Sequence, residues 1–190
     1  MKRVLVSLIC VCLTFAAWAQ NDDFVQYQLD NGLTVYLWED HDQPDVQGWT
    51  VTRAGSIDEP ADATGLAHYL EHMLFKGTDR IGALDWAKEK PLYEQIIALY
   101  DTLALTTDDQ AREAVQLRIN EVSREAAQYA ATDEFSNLIQ GIGGEGLNAF
   151  TSYDVTCYMN SFPSYQMERW LTLYADRLTN PVFRSFQAEL

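Results

Sequence analysis

Two histidines and a glutamate lie within five residues of one another, in the run His68-Tyr69-Leu70-Glu71-His72. Histidines four residues apart share one face of an α-helix, so both imidazoles can reach a single point in space. Two neutral imidazoles on one side of a Zn²⁺ ion leave room for a third protein ligand and a water. The metal lowers the pKa of that water towards about 7, and a carboxylate beside it can accept the proton. The spacing therefore predicts a metal site with hydrolytic chemistry, in the order H-x-x-E-H that inverted zinc peptidases use.

The alternative is that these three residues are ordinary polar positions of an amphipathic helix. The chain contains three histidines, so chance rarely places two of them at this spacing around a glutamate. The motif also stands among apolar residues, which predicts that its helix is at least partly buried. Two histidines and a glutamate buried together need polar partners, and a bound metal supplies them. The metal site is therefore the favoured interpretation.

Short β-rich segments precede the motif and would position it. Phe24–Leu29 and Leu33–Trp38 are separated by an Asn-Gly turn, whose residues tolerate positive φ angles, and this predicts a β-hairpin. Val46–Ala54 reads as a third strand. The helix that carries the motif is predicted over Leu66–Phe75, with Gly77 ending it.

The middle of the chain predicts an antiparallel helical hairpin over about Asp85–Ala131. Apolar residues recur there at intervals of three and four in two runs, which predicts two helices whose apolar faces pack together. The runs are Leu92, Ile96, Leu99, Leu103 and Val115, Ile119, Val122, Ala126. Thr107 and Gln110 have the spacing of a capping box at the start of the second helix.

The last third predicts one extended segment and one helix. Asn148–Asn160 is rich in β-branched and aromatic residues and should be extended. Ser164 is a candidate cap for a helix that ends before Pro181. The apolar stripe of this helix is Trp170, Leu171, Tyr174 and Leu178.

Several runs together resemble the pitrilysin/insulinase family of zinc metallopeptidases, which includes the mitochondrial processing peptidases. They are His68–Thr78, Asn31–Val35, Gly55–Glu59, Asn148–Thr151 with Tyr158, and Asn180–Phe183. The combination is far more specific than the five-residue motif alone.

The resemblance implies an α+β fold, in which helices pack on one face of a mainly antiparallel sheet. It implies that His68 and His72 bind Zn²⁺ and that Glu71 is the general base of a zinc-dependent endopeptidase. Asn148 and Ala149 match the edge strand on which family members hold an extended peptide substrate by main-chain pairing. It also implies a second homologous half-domain or subunit, which would enclose the substrate.

The third metal ligand of the family is a glutamate further along the chain. Counting the family's usual spacing between the second histidine and this glutamate, starting from His72, ends near Ala149, which cannot bind a metal. If the helical hairpin is an insertion, the family motif that contains the ligand glutamate begins at residues 186–190. In that motif a first glutamate precedes the ligand glutamate by two helical turns, and Glu189 matches the first of the two. We therefore expect the third ligand beyond Leu190, in a chain that is the N-terminal part of a longer peptidase. Glu145 and Glu189 are alternative ligands.

The first residues have the pattern of a secretory signal peptide. A basic start precedes an apolar run that ends in Ala17-Trp18-Ala19, and this run is too short for a membrane span. We expect cleavage after residue 19, an exported periplasmic or secreted protein without stable membrane insertion, and a peptidase domain over 20–190. The formal net charge of −15 opposes nucleic-acid binding. His41 stands in an acidic run, Glu39–Asp45, and we expect it in a solvated loop rather than at a metal. Two other functions stay open: a non-catalytic homologous partner subunit, and a metal-binding or interaction module.

Overall fold

The computed structural model describes residues 24–189. The predicted signal peptide, residues 1–19, lies outside the described residues. The chain divides at Pro44 into two compact units. Among residues 24–189, no helix has both the length and the apolar character that crossing a bilayer requires.

The first unit contains the predicted hairpin. Strand β1 (Phe24–Gln28) pairs with β2 (Thr34–Trp38) in antiparallel register. The expectation of positive φ at both turn residues is wrong, because only Gly32 adopts it, at +87°. Asn31 contributes through its side chain instead, since its Oδ1 accepts a hydrogen bond from the Leu33 N–H at 3.1 Å.

The second unit is built on a three-stranded antiparallel sheet in the order β3-β5-β4. Its strands are β3 (Asp45–Thr52), β4 (Glu145–Thr151) and β5 (Thr156–Pro163). The extended segment predicted over 148–160 is therefore two strands, because the chain reverses direction at residues 152–155. At this reversal Thr151 pairs with Thr156.

Within residues 45–189, five α-helices accompany this sheet. They are α1 (Leu66–Met73), α2 (Trp86–Leu105), α3 (Asp109–Ala126), α4 (Glu134–Gly141) and α5 (Met167–Thr179). Short 3₁₀ turns occupy Ser56–Asp58, Ala127–Tyr129, Ser164–Gln166 and Phe186–Glu189. Helix α4 was not predicted from the sequence.

The core lies between β5 and the helices α4 and α5. Tyr158, Asn160 and Phe162 alternate onto one face of β5, and all three are buried. Asn160 joins strand to helix, because its Oδ1 accepts hydrogen bonds from the Trp170 indole and the Tyr174 hydroxyl, each at 2.8 Å. The predicted α+β class, with an antiparallel sheet and packed helices, is confirmed.

Helices α2 and α3 pack against each other along the predicted apolar stripes. Ile119 and Val122 of α3 are buried at this contact. A connection of three residues makes the two helices antiparallel. The predicted cap at Thr107 is wrong: Asp108 caps α3, since its carboxylate accepts a hydrogen bond from the Ala111 N–H at 2.9 Å. That this pair is an insertion relative to shorter relatives stays a prediction.

Helix α5 ends at Thr179, as predicted, but Ser164 does not cap it, because a 3₁₀ turn comes first. Its predicted apolar stripe is also partly wrong. Trp170 and Tyr174 are buried, whereas Leu171 and Leu178 are exposed. Arg177, also on this helix, is buried instead.

Arg177 is fully buried among four aromatic rings. Its guanidinium carbon lies between 4.4 and 5.2 Å from the ring centroids of Phe75, Phe135, Tyr158 and Tyr174. Burial lowers the pKa of Arg177, and the facing phenols oppose that shift. The negative ring faces compensate part of the lost hydration by cation–π attraction. A sequence stripe of apolar residues cannot reveal such a position.

Candidate metal centre

Glu59, six residues before Gly65, caps the helix that carries the motif. Glu59 accepts hydrogen bonds from the Gly65 and Ala67 N–H groups, each at 2.8 Å. These N–H groups begin α1, where the backbone has no helical acceptors of its own and negative charge is favoured. The sequence analysis missed this role, because Glu59 lies outside the few residues in which a local capping pattern is sought.

The two motif histidines converge as the spacing predicts. The Nε2 atoms of His68 and His72 are 3.2 Å apart, and their rings stand at 83° to each other. Two nitrogens that bind one tetrahedral zinc at about 2.0–2.1 Å would be about 3.3 Å apart. A hydrogen bond between the two rings would give a similar distance. Both side chains are exposed, so the expectation that they are buried is wrong.

Glu71 is the buried member of the motif, with 6% of its surface exposed. One ligand atom from each of His68, Glu71 and His72 lies within 4.8 Å of the other two. Thr151, the last residue of β4, donates a hydrogen bond from its hydroxyl to Glu71 Oε2 at 2.5 Å. Burial raises the pKa of the Tyr158 phenol to about 12, and the charge of Glu71 contributes to that rise.

The donor set fits a zinc ion. Imidazole nitrogens and a carboxylate are ligands that zinc accepts, and a site with open positions is typical of catalytic rather than structural zinc. The two nitrogens face each other on one exposed side of α1, where a metal can enter. These side chains therefore suit the zinc ion that the motif predicts.

A cleft of about 620 Å³ opens beside these side chains. Its wall includes His68 and Glu71 from α1, and residues 149–153 from the end of β4 and the following turn. Backbone hydrogen bonding joins the 3₁₀ turn that precedes α1 to the turn after β4, because the Ser56 N–H donates to the Ser152 carbonyl at 3.1 Å. The cleft is thus bounded by the motif helix on one side and a strand on the other.

The strand on that side has a free edge. β4 pairs with β5, and within residues 24–189 no strand pairs with its other edge. Asn148 is exposed there and Ala149 is half-buried and lines the cleft. The structure therefore brings both predicted substrate residues to the strand that borders the motif.

Other predicted residues are not brought to the motif. Glu145 begins β4, six positions before Thr151, and that length of strand spans about 20 Å. Glu189 belongs to the terminal 3₁₀ turn, and the position of its carboxylate lies outside what the structure describes, as does any ligand beyond Leu190. In the first unit, His41 is exposed, with its Nε2 3.3 Å from Glu39, as expected for a solvated loop.

Comparisons with known proteins relate part of the chain to a family of peptidases. Residues 34–89, which include the motif, match the profile of the insulinase family of peptidases, family M16. The chain is 26% identical over 157 residues to the probable zinc protease PqqL of Escherichia coli strain K12. The segment that carries the motif is therefore similar to insulinase-family peptidases. The chain is also 38% identical over 58 residues to the insulin-degrading enzyme of Drosophila melanogaster.

Solved structures show the same fold. A protease from Helicobacter pylori superposes with a TM-score of 0.58 at 20% identity, over 87% of this chain and 28% of the other. The first half of the periplasmic protease PqqL from Escherichia coli gives 0.54 at 20% identity, over 85% and 26%. The chain aligns over 82% of its length with the curated PqqL sequence but spans only 12% of that relative.

Proposed function

We propose that this chain carries the metal-binding part of a zinc-dependent endopeptidase that hydrolyses extended peptides. The observation that carries the proposal is the 3.2 Å approach of the His68 and His72 Nε2 atoms, with the Glu71 carboxylate buried beside them. Similarity to the insulinase family supports it, since relatives are named proteases.

In this proposal each motif residue has a separate role. His68 and His72 hold the zinc, which when bound supplies a Lewis acid for water and for the scissile carbonyl. Glu71 accepts a proton from the attacking water. As the C–N bond breaks, Glu71 returns that proton to the leaving amine nitrogen. Burial of Glu71 suits this role, because a carboxylate shielded from bulk water keeps a fixed direction towards its reaction partner.

The free edge of β4 would hold the substrate. A peptide added as a strand beside Asn148 and Ala149 is bound through its main chain, so many sequences can be accepted. Because β4 runs into the cleft at Thr151, the bound peptide would lie alongside Glu71 and His68.

Two imidazoles alone bind zinc weakly, so we propose that a third ligand comes from beyond Leu190. The family's pattern places it two helical turns after Glu189, which is about seven residues. The DNA after the Leu190 codon tests this: an open frame with a glutamate near that position supports it, and a stop codon or no acidic residue contradicts it. A second homologous half-domain or subunit would then complete the site.

We also propose that the protein is exported. The basic and apolar start of the chain, with its Ala17-Trp18-Ala19 ending, supports cleavage and delivery to the periplasm or beyond. One structural neighbour is titled a periplasmic protease. Cell fractionation, together with N-terminal sequencing of the exported protein, tests this proposal, and an uncleaved cytoplasmic product contradicts it.

Metal content and peptide cleavage test the central function. In a protein that includes the proposed third ligand and second half, we expect about one zinc per chain, loss of that zinc in H68A and H72A, and zinc with abolished cleavage in E71Q. Cleavage is followed on a set of internally quenched peptides, with E113Q as control because Glu113 is an exposed carboxylate of α3. Absence of zinc from that longer wild-type protein would contradict the metal centre. An E71Q variant that cleaves normally would contradict the peptidase.

A further inference from the structure

Thr151 contacts Glu71 across a separation of 80 residues. Its hydroxyl donates to Oε2 of the Glu71 carboxylate at 2.5 Å; Glu71 is buried and Thr151 is half-buried. A glutamate has three rotatable side-chain bonds, and fixing them costs conformational entropy. A hydrogen bond to a carboxylate oxygen is among the stronger ones and can supply this order.

The hydroxyl of Thr151 is itself directed by its neighbours. Thr156, its partner across β4 and β5, lies 3.4 Å away from it, oxygen to oxygen. The Thr156 hydroxyl donates to the Ala54 carbonyl at 3.0 Å. Each hydroxyl has one hydrogen. With the Thr156 hydrogen engaged on Ala54, the Thr151 hydrogen is left for Glu71.

We propose that Thr151 is a positioning residue that holds the Glu71 carboxylate towards the cleft. This inference rests on the proposed function, in which Glu71 is the base. Thr151 keeps its own proton throughout and acts through the carboxylate alone. It binds Oε2, so that Oε1 is the oxygen left to exchange a proton with the reacting water.

Thr151 also links the proposed base to the strand edge that is proposed to bind the substrate. It ends the strand whose edge, at Asn148 and Ala149, is proposed to hold the peptide. Strand β4 therefore holds the substrate backbone and, through Thr151, orients the Glu71 carboxylate. The distance between the substrate and that carboxylate is then set by β4 rather than by a flexible loop. We expect loss of the hydroxyl to lower kcat and to leave KM nearly unchanged.

The test compares T151V, which keeps the shape but removes the hydroxyl, with T151S, which keeps the hydroxyl. Loss of a supporting hydrogen bond at a metal site typically costs about 10- to 100-fold in activity. We expect T151V to lower kcat by at least about tenfold with KM within about twofold, and T151S to retain at least about a third of wild-type kcat. Zinc content should stay at the wild-type level. T172V, which removes an exposed hydroxyl of α5, is the control and should match wild type.

A double variant separates action through Glu71 from a general effect. If Thr151 works through the carboxylate, T151V adds little further loss in an E71D background, where the shorter carboxylate is withdrawn from the Thr151 hydroxyl and residual cleavage stays measurable. An additive loss, a T151S variant as slow as T151V, or loss of zinc in T151V would each overturn the positioning role.

Crystal structures keep this inference separate from the proposed function. We expect the Glu71 carboxylate to leave its position in T151V and to keep it in T151S. An unmoved carboxylate in T151V would overturn the inference whether or not the chain cleaves peptides. Full cleavage by E71Q would instead refute the proposed function, while the position of the carboxylate would still report on Thr151.

Discussion

Replacing Glu89 with glutamine should destabilise the fold strongly, because Glu89 forms a buried ion pair with Arg184. The two side chains are 2% and 7% exposed. Arg184 donates from Nε and Nη2 to the Glu89 carboxylate at 2.5 and 3.0 Å. Its remaining donors bind the carbonyls of Lys76, Thr78 and Ile81, so the guanidinium also fixes the turn that follows α1.

The magnitude follows from this geometry. E89Q leaves the Arg184 charge buried without a counter-charge and turns an amide N–H₂ towards a donor. Breaking a buried pair in this way costs about 3–5 kcal/mol. At about 2–4 °C per kcal/mol for a chain of this size, the midpoint of thermal unfolding should fall by roughly 6–20 °C.

Thermal unfolding followed by circular dichroism measures this shift. The matched control is E94Q on the same helix, since Glu94 faces Lys90 at 3.9 Å with both side chains exposed. An exposed pair contributes at most about 1 kcal/mol. The double variant E89M/R184M should lose less than the sum of its two single variants, because it leaves no unpaired charge. The reasoning is refuted if E89Q unfolds at the same temperature as E94Q.

Three further changes should reveal other parts of the packing. G77A should lower the free energy of unfolding by at least about 2 kcal/mol in a urea titration, because Gly77 has φ +94° and a Cβ would lie 2.2 Å from the Ile81 carbonyl oxygen. The control G141A, with open space at its Cβ, should be nearly neutral in the same titration. Burial alone would raise the pKa of Asp176, but hydrogen bonds from Arg80 and two neighbours outweigh it, and the pKa is lowered. Asp176 therefore stabilises the fold above its unfolded pKa of about 3.9, and this stability is lost as the pH falls through the lower folded-state pKa. D176N should flatten the dependence of the unfolding free energy on pH below about pH 4. An unchanged slope of unfolding free energy against pH would contradict this. N160L should cost about 2–4 kcal/mol by denaturant unfolding, because it leaves a buried indole N–H and a phenol without their acceptor; a cost below about 0.5 kcal/mol would contradict that account.

The sequence predicts the parts of this fold that local patterns encode. The hairpin of the first unit, the strand at Asp45–Thr52 and the paired helices all follow from alternation or helical periodicity, which side chains impose within a few residues. The spacing of His68 and His72 likewise predicts their convergence, because one helical turn separates them.

Contacts between distant segments could not be predicted in the same way. Thr151 reaches Glu71 because β4 ends beside α1, and Glu59 caps α1 because the intervening loop turns back. Both depend on tertiary packing rather than on neighbours in sequence. Arg177 is buried against the usual preference for exposure, because four aromatic rings converge on it from separate elements.

Anomalous diffraction from crystals soaked in zinc tests the central claim most directly. The account predicts one strong peak bound by the Nε2 atoms of both His68 and His72, each at about 2.0–2.1 Å, with the Glu71 carboxylate beside it. A peak bound elsewhere, or imidazoles rotated apart with no zinc between them at saturating metal, would contradict it.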